Sequence, residues 1–139
     1  MGEVDVYWGK DFLQYWGSSV LALQGKNPYD SAALFSIEKR ISGWSSLDEP
    51  IVMWNPPNIF LFILPFGLLG FCLARNLFLL VLCGSYLLSF ILLGEIMGFK
   101  QRKPLSFRCI VYLIIITFPP FLSGFFYGQI SPIILLCYT

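Results

Sequence analysis

Histidine is absent from this 139-residue chain, and charge is scarce: 12% of residues are charged, against 57% hydrophobic and 18% aromatic. A soluble domain carries roughly twice that charged fraction. A chain of this length also cannot enclose so many large apolar side chains in one core. Together these shortages exclude an ordinary soluble fold and leave an integral membrane protein. No histidine is available to complete a zinc site, and Cys72, Cys83, Cys109 and Cys137 never form a Cys-x-x-Cys spacing. All four cysteines lie in apolar runs and read as small buried hydrophobes. The chain shows no Gly-rich nucleotide-phosphate loop, no convincing internal repeat and no basic-then-apolar leader at its N-terminus. A net charge of +1 gives no reason to expect a nucleic-acid partner.

What charge there is divides unevenly. Residues 1–55 hold seven acids and four bases, whereas 56–139 hold one acid and five bases. The chain therefore reads as an extramembrane unit, 1–55, followed by a membrane domain, 56–139. From Asp11 the pattern is helical: Phe12, Trp16, Val20 and Leu23 recur on one face, with Asp11, Gln14 and Ser18 on another. Asp11 is placed to serve as N-cap and Gly25 to stop the helix. At about 1.5 Å per residue this helix is too short to cross a bilayer, and its aromatic content suits a membrane interface. Asn27-Pro28-Tyr29-Asp30 is turn chemistry, because Pro28 fixes its own φ and biases Asn27 to an extended conformation. Asp30 then caps a second helix from Ser31 to about Ile41, with Leu34, Ile37 and Ile41 as its apolar stripe and Glu38, Lys39 and Arg40 facing water. Residues 42–50 read as a polar loop.

Composition changes abruptly at Trp54-Asn55-Pro56-Pro57. Asn58 to Ala74 is apolar but interrupted by Pro65, Gly67 and Gly70, and is marginal in length for a span. Leu77 to Met97 is a convincing span. Cys109 to Tyr127 is another, with a kink expected at Pro119-Pro120, and Ile130 to Tyr138 begins a fourth apolar run. The fold class expected is all-α and polytopic: two short interfacial helices, then three to four membrane segments. Because the last run is only half the length of a span, the chain reads as a fragment incomplete at its C-terminus. Lys100, Arg102, Lys103 and Arg108, set against a lone Arg75 in the turn before the first of the two good spans, place the loop between those spans in the cytoplasm. Gln129 then lies outside. Asp11 shares that side if Asn58 to Ala74 enters and returns, the preferred reading, and lies opposite if that stretch crosses.

The order of these landmarks resembles the GT-C superfamily of membrane glycosyltransferases, and within it glycosyltransferase family 87. The pieces are Asp11-Phe12 with Tyr15, then Gly25-Lys26-Asn27-Pro28-Tyr29-Asp30, then Asn55-Pro56-Pro57 opening an apolar run with Pro65 inside it. Last come Pro119-Pro120 and, eight residues on, Gly128-Gln129. The resemblance covers nearly the whole chain. It implies a multi-pass cell-membrane enzyme, with residues 1–55 extracytoplasmic, that moves a hexose, often mannose, from a polyprenyl-phosphate donor to a lipid or glycan acceptor. It further implies Asp11 as the essential acid. The family's usual first transmembrane helix, which would precede Met1, has no counterpart here, nor have most of the later helices.

The chemistry is consistent with one acid. A departing polyprenyl phosphate is already an anion, so the remaining task is to take the proton from the acceptor hydroxyl, which one general base can do. A glycosidase needs a second carboxyl to protonate its leaving group. Direct attack inverts the anomeric carbon. Candidate substrate contacts are Tyr15, Asn27, Tyr29 and Gln129, with Asp5 as the fallback base and helix capping as the competing role of Asp11. No cofactor or metal is expected, and membrane lipids are the remaining partners. The alternative is a non-enzymatic polytopic protein, a transporter fragment or assembly subunit.

Overall fold

In the structure, a computed structural model, residues 9–42, 49–96, 104, 106–107, 109–110, 113 and 119–139 are described. The principal elements among them are helical: α1 (Lys10–Leu23), α2 (Ser31–Ser42), α3 (Phe60–Ile63), α4 (Phe71–Ile96), α5 (Pro119–Tyr127) and α6 (Ser131–Tyr138). Two 3-10 turns, Pro57–Ile59 and Leu64–Leu68, extend α3 at either end. The all-α expectation holds for this part of the chain. Asp5, the basic cluster at 100–108, residues 43–48 and most of the run 109–118 lie outside the described residues.

Local chemistry explains the first two helices. Gly25 adopts φ 70°, its N–H donates to the Ala22 carbonyl, and the Lys26 N–H reaches back to the Leu21 carbonyl at 2.9 Å. This is a Schellman closure, and glycine fits because a Cβ would be strained there. Asn27 Oδ1 accepts from the Tyr29 N–H at 3.0 Å, and Asp30 Oδ1 accepts from the N–H groups of Ala32 and Ala33. Asp30 is therefore the N-cap of α2, as expected. Asp11 is not the N-cap of α1. Gly9 holds that place in the left-handed region, at φ 75° and ψ 35°, which leaves Asp11 in the first helical turn, where the helix dipole favours an acid.

Packing departs further from the pattern. Phe12 through Ser19 are all buried, so α1 is a core helix and not an amphipathic surface one. Three neighbours cover it. Gly17 lets α2 approach through Leu34 and Ile37, Gly67 lies against Ser19 and Leu23, and the Phe12 ring stacks on Phe78 at 4.5 Å and meets Phe66 edge-on at 5.9 Å. Removing a ring buried this completely costs about 3–5 kcal/mol. Glu38 does not face water: it is fully buried, because the segment after α2 folds back and the Ile51 N–H donates to its Oε2 at 3.0 Å.

The long helix also starts earlier than expected. Helix α4 begins at Phe71, and the break falls at Leu69-Gly70, where the Trp16 indole N–H donates to the Leu69 carbonyl at 2.9 Å. Arg75 lies inside α4, not in a turn. The Cβ direction of Gly9 points at its aliphatic stem, and its guanidinium sits 5.8 Å from the Phe71 ring centroid. A long stem packed in this way lets a cation occupy an apolar helix. Among the described residues α4 is the one helix long and apolar enough to cross a membrane; its 26 residues span about 39 Å. Leu73, Leu80, Leu87 and Ile91 are exposed along it.

The cysteines are exposed as well, all four of them, contrary to their reading as buried hydrophobes. Helices apolar on every side carry such residues on the faces turned from the core too. The stretch Pro57–Leu68 reaches about 20 Å, short of the ~30 Å hydrocarbon core.

Gly67 tests this packing. A Cβ there would lie 2.8 Å from Ser19 Cβ and 3.0 Å from the Ser19 carbonyl carbon. Gly67→Ala is expected to destabilise the fold by about 1–3 kcal/mol, read as a lower unfolding midpoint in detergent. An unchanged midpoint contradicts the close α1 contact.

Candidate functional site

Two left-handed glycines bring distant parts of the chain together. The Gly9 N–H donates to the Phe126 carbonyl at 2.8 Å. Gly128, at φ 69°, comes so close to Gly9 that a Cβ would lie 3.1 Å from the Gly9 Cα. The start of α1 is thus docked on the turn between α5 and α6. Within that turn the Gln129 N–H donates to the Gly124 carbonyl at 2.8 Å, and the Gln129 side-chain amide hydrogen-bonds the Asp11 carboxylate. One helical turn along, Tyr15 is buried. Its hydroxyl hydrogen-bonds with the Asn55 side chain and the Ile130 backbone, and it lies near enough to feel the charge of Asp11.

Of the five expected site residues, Asp11, Tyr15 and Gln129 form one cluster. Tyr29 joins it at one remove, because its hydroxyl donates to the Asn55 carbonyl at 2.9 Å and its ring meets Phe60 edge-on at 6.1 Å. Asn27 does not join: it is exposed, with its side-chain oxygen committed to the Tyr29 N–H. Asn55 is the member that residue-by-residue reading missed as a contact. Its position ahead of Pro56-Pro57 was the available signal, since the residue before proline is held extended and its side chain is correspondingly well placed.

The electrostatics suit proton acceptance. Burial raises the Asp11 carboxyl above its ordinary value, while the Gln129 hydrogen bond and the Lys10 charge act in the opposite direction. A carboxylate moved toward neutrality is a stronger base, and Asp11 stays only half-buried, so a hydroxyl can reach it. Burial also raises the Tyr15 hydroxyl, opposed by its bonds to Asn55 and Ile130 and assisted by Asp11. Tyr15 is therefore a neutral hydrogen-bonding group at working pH. An apolar groove of about 390 Å³, lined by Leu23, Pro57, Phe60, Leu61, Leu64, Pro65 and Leu68, opens at the other end of α1. Helix rise puts Leu23, at its edge, about 18 Å from Asp11, while Phe60, on its wall, meets the Tyr29 ring.

A family model described as Glycosyltransferase family 87 matches residues 53–139. Nothing among curated proteins matches, and no solved structure matches. The matched stretch contains Asn55 and Gln129 and begins after Asp11 and Tyr15, so the contacts just described are what join the two halves of the cluster.

Gln129 supplies the donor that holds Asp11 down. Gln129→Leu is therefore expected to move the Asp11 titration to higher pH, measured by carbon-13 NMR of labelled aspartate carboxyls. A shift to lower pH, or none, contradicts the contact.

Proposed function

The chain belongs to glycosyltransferase family 87 and is a glycosyltransferase, and from that premise we propose that Asp11 is its general base. In this reading the protein is a multi-pass membrane enzyme that transfers a hexose, in the first instance mannose, from a polyprenyl-phosphate donor to a lipid or glycan hydroxyl on the extracytoplasmic face. The observation that carries the proposal is the docking of the α1 start on the α5–α6 turn, with the Gly9 N–H on the Phe126 carbonyl at 2.8 Å, which sets Asp11 beside Gln129. It places the one acid of the cluster against a residue of the family-matched stretch.

The acceptor hydroxyl approaches Asp11, gives up its proton to the carboxylate, and its oxygen attacks the anomeric carbon. The bond to the donor phosphate breaks as the new one forms, on the opposite face of the sugar, which inverts the centre. The leaving phosphate departs as an anion and needs no acid. Gln129 orients the carboxylate, and Tyr15, held by Asn55 and Ile130, offers a fixed hydroxyl beside it for a sugar oxygen. Preorganised groups of this kind act by fixing geometry before reaction. The apolar, exposed flank of α4 supports a membrane setting for a lipid-linked donor.

The test uses the full-length protein in isolated membranes with radiolabelled polyprenyl-phosphate mannose. Asp11→Asn is expected to lower transfer by about 100-fold or more with an unchanged amount of protein in the membrane. Transfer within about twofold of the parent would overturn the assignment.

A further inference from the structure

Glu38 has no part in the site as described, yet it is fully buried on α2. Its Oε2 accepts the Ile51 N–H at 3.0 Å, and its Oε1 is buried with no hydrogen-bond partner among the described residues. The backbone it holds runs directly to the site. Met53 is buried, and Asn55, four residues past Ile51, bonds Tyr15 through its side chain and Tyr29 through its carbonyl. We propose that Glu38 is a positioning residue for the Asp11 site, fixing segment 51–55 through the Ile51 amide while its carboxyl is uncharged and loosening it on ionisation. The proposal rests on the reading that sugar transfer takes place at Asp11.

The surroundings of Glu38 decide which protonation state fits. Lys10, from α1, is the cation that favours its charge, but Lys10 is itself exposed. On its own helix, Lys39 lies with Nζ 4.3 Å from the Phe35 ring centroid, and Arg40 is exposed. Glu49, on the covering segment, is exposed too, and Asp11 follows Lys10 on α1. A buried carboxylate with one oxygen unpaired is costly, whereas the neutral acid keeps an acceptor for Ile51 at less cost. Burial accordingly pushes Glu38 up to about 7, against the Ile51 bond and the Lys10 charge.

A carboxyl raised in the folded state stabilises the closed segment fully below its ordinary value of 4.5 and loses that contribution as pH climbs through about 7. Asp11 works the other way, since a base must be ionised to act. Transfer then has an acid limb set by Asp11 and an alkaline limb set by Glu38.

The experiment compares the parent with Glu38→Gln, whose carbonyl still accepts from Ile51 and whose side chain cannot ionise. Radiolabelled polyprenyl-phosphate mannose is the donor, and kcat and KM are measured from pH 5 to 9 per amount of folded protein. Between pH 7 and 8 the protonated fraction of Glu38 drops about fivefold. The parent kcat is expected to fall by up to that factor, while Glu38→Gln stays flat over the same range. Hydrogen exchange of the 49–55 amides, corrected for intrinsic rate, is expected to speed up above pH 7 in the parent and not in Glu38→Gln. Identical alkaline limbs in the two proteins, or a pH-independent 49–55 exchange in the parent, overturn the proposal. Asp11→Asn separates the two claims: normal transfer in that variant removes the reading of the site, while the exchange measurement still judges Glu38.

Discussion

The ring of Phe12 sets the rotation of α1, and the rest of the structure depends on that rotation. Phe12 is fully buried, stacked on Phe78 at 4.5 Å and on Phe71 at 6.1 Å, with Phe66 edge-on. With that side chain fixed against α4 and the Leu64–Leu68 turn, the 100° step between helical residues leaves Asp11 and Tyr15 together on a neighbouring face. That face meets Gln129, Ile130 and Asn55. The polar cluster is thus a consequence of an aromatic one, and the left-handed pair Gly9 and Gly128 lets the two approach without a Cβ between them.

Two features of the site pull against stability. Asp11 and Glu38 are both carboxyls that burial raises, so each makes the folded state less favourable as it ionises. Gln14 Oε1 and Ser18 Oγ, buried on α1, have no hydrogen-bond partner among the described residues. Such groups are costly in a packed interior. The aromatic contacts around Phe12 and the bond from Trp16 to Leu69 offset that cost on the opposite side of the same helix.

Much of the local structure was legible in the residues, and the reasons are physical. The Gly25 stop, the Asn27 turn and the Asp30 cap are satisfied within a few residues, so short-range chemistry decides them. Glu38 reads as a solvated charge beside Lys39 and Arg40 because its cover, Ile51, comes from 13 residues away. Asp11 reads as a cap because an acid before an apolar period usually is one, and only the contact with the 124–129 turn shows why Gly9 takes that place. Arg75 reads as part of a turn because a cation interrupts an apolar run, and what lets it sit inside α4 is the room its stem finds at Gly9, 66 positions earlier in the chain. As for the site, Asp11, Tyr15 and Gln129, expected from the sequence, lie in one cluster, Asn27 is exposed with its side-chain oxygen on the Tyr29 N–H, and Asn55 reads in the sequence as punctuation before two prolines.

The central claim is that Asp11 and Gln129 meet on one face of the membrane, which requires the Pro57–Leu68 stretch to enter and return on that face and the two apolar runs after it, read from the sequence as 77–97 and 109–127, to carry the chain across and back. Single cysteines at positions 11 and 129, in a protein whose four native cysteines are replaced, can be probed in intact cells with a membrane-impermeant maleimide. The account predicts that both positions label in intact cells, with labelling that detergent permeabilisation does not increase. Labelling of one position from outside and of the other only from the cytoplasm would contradict it.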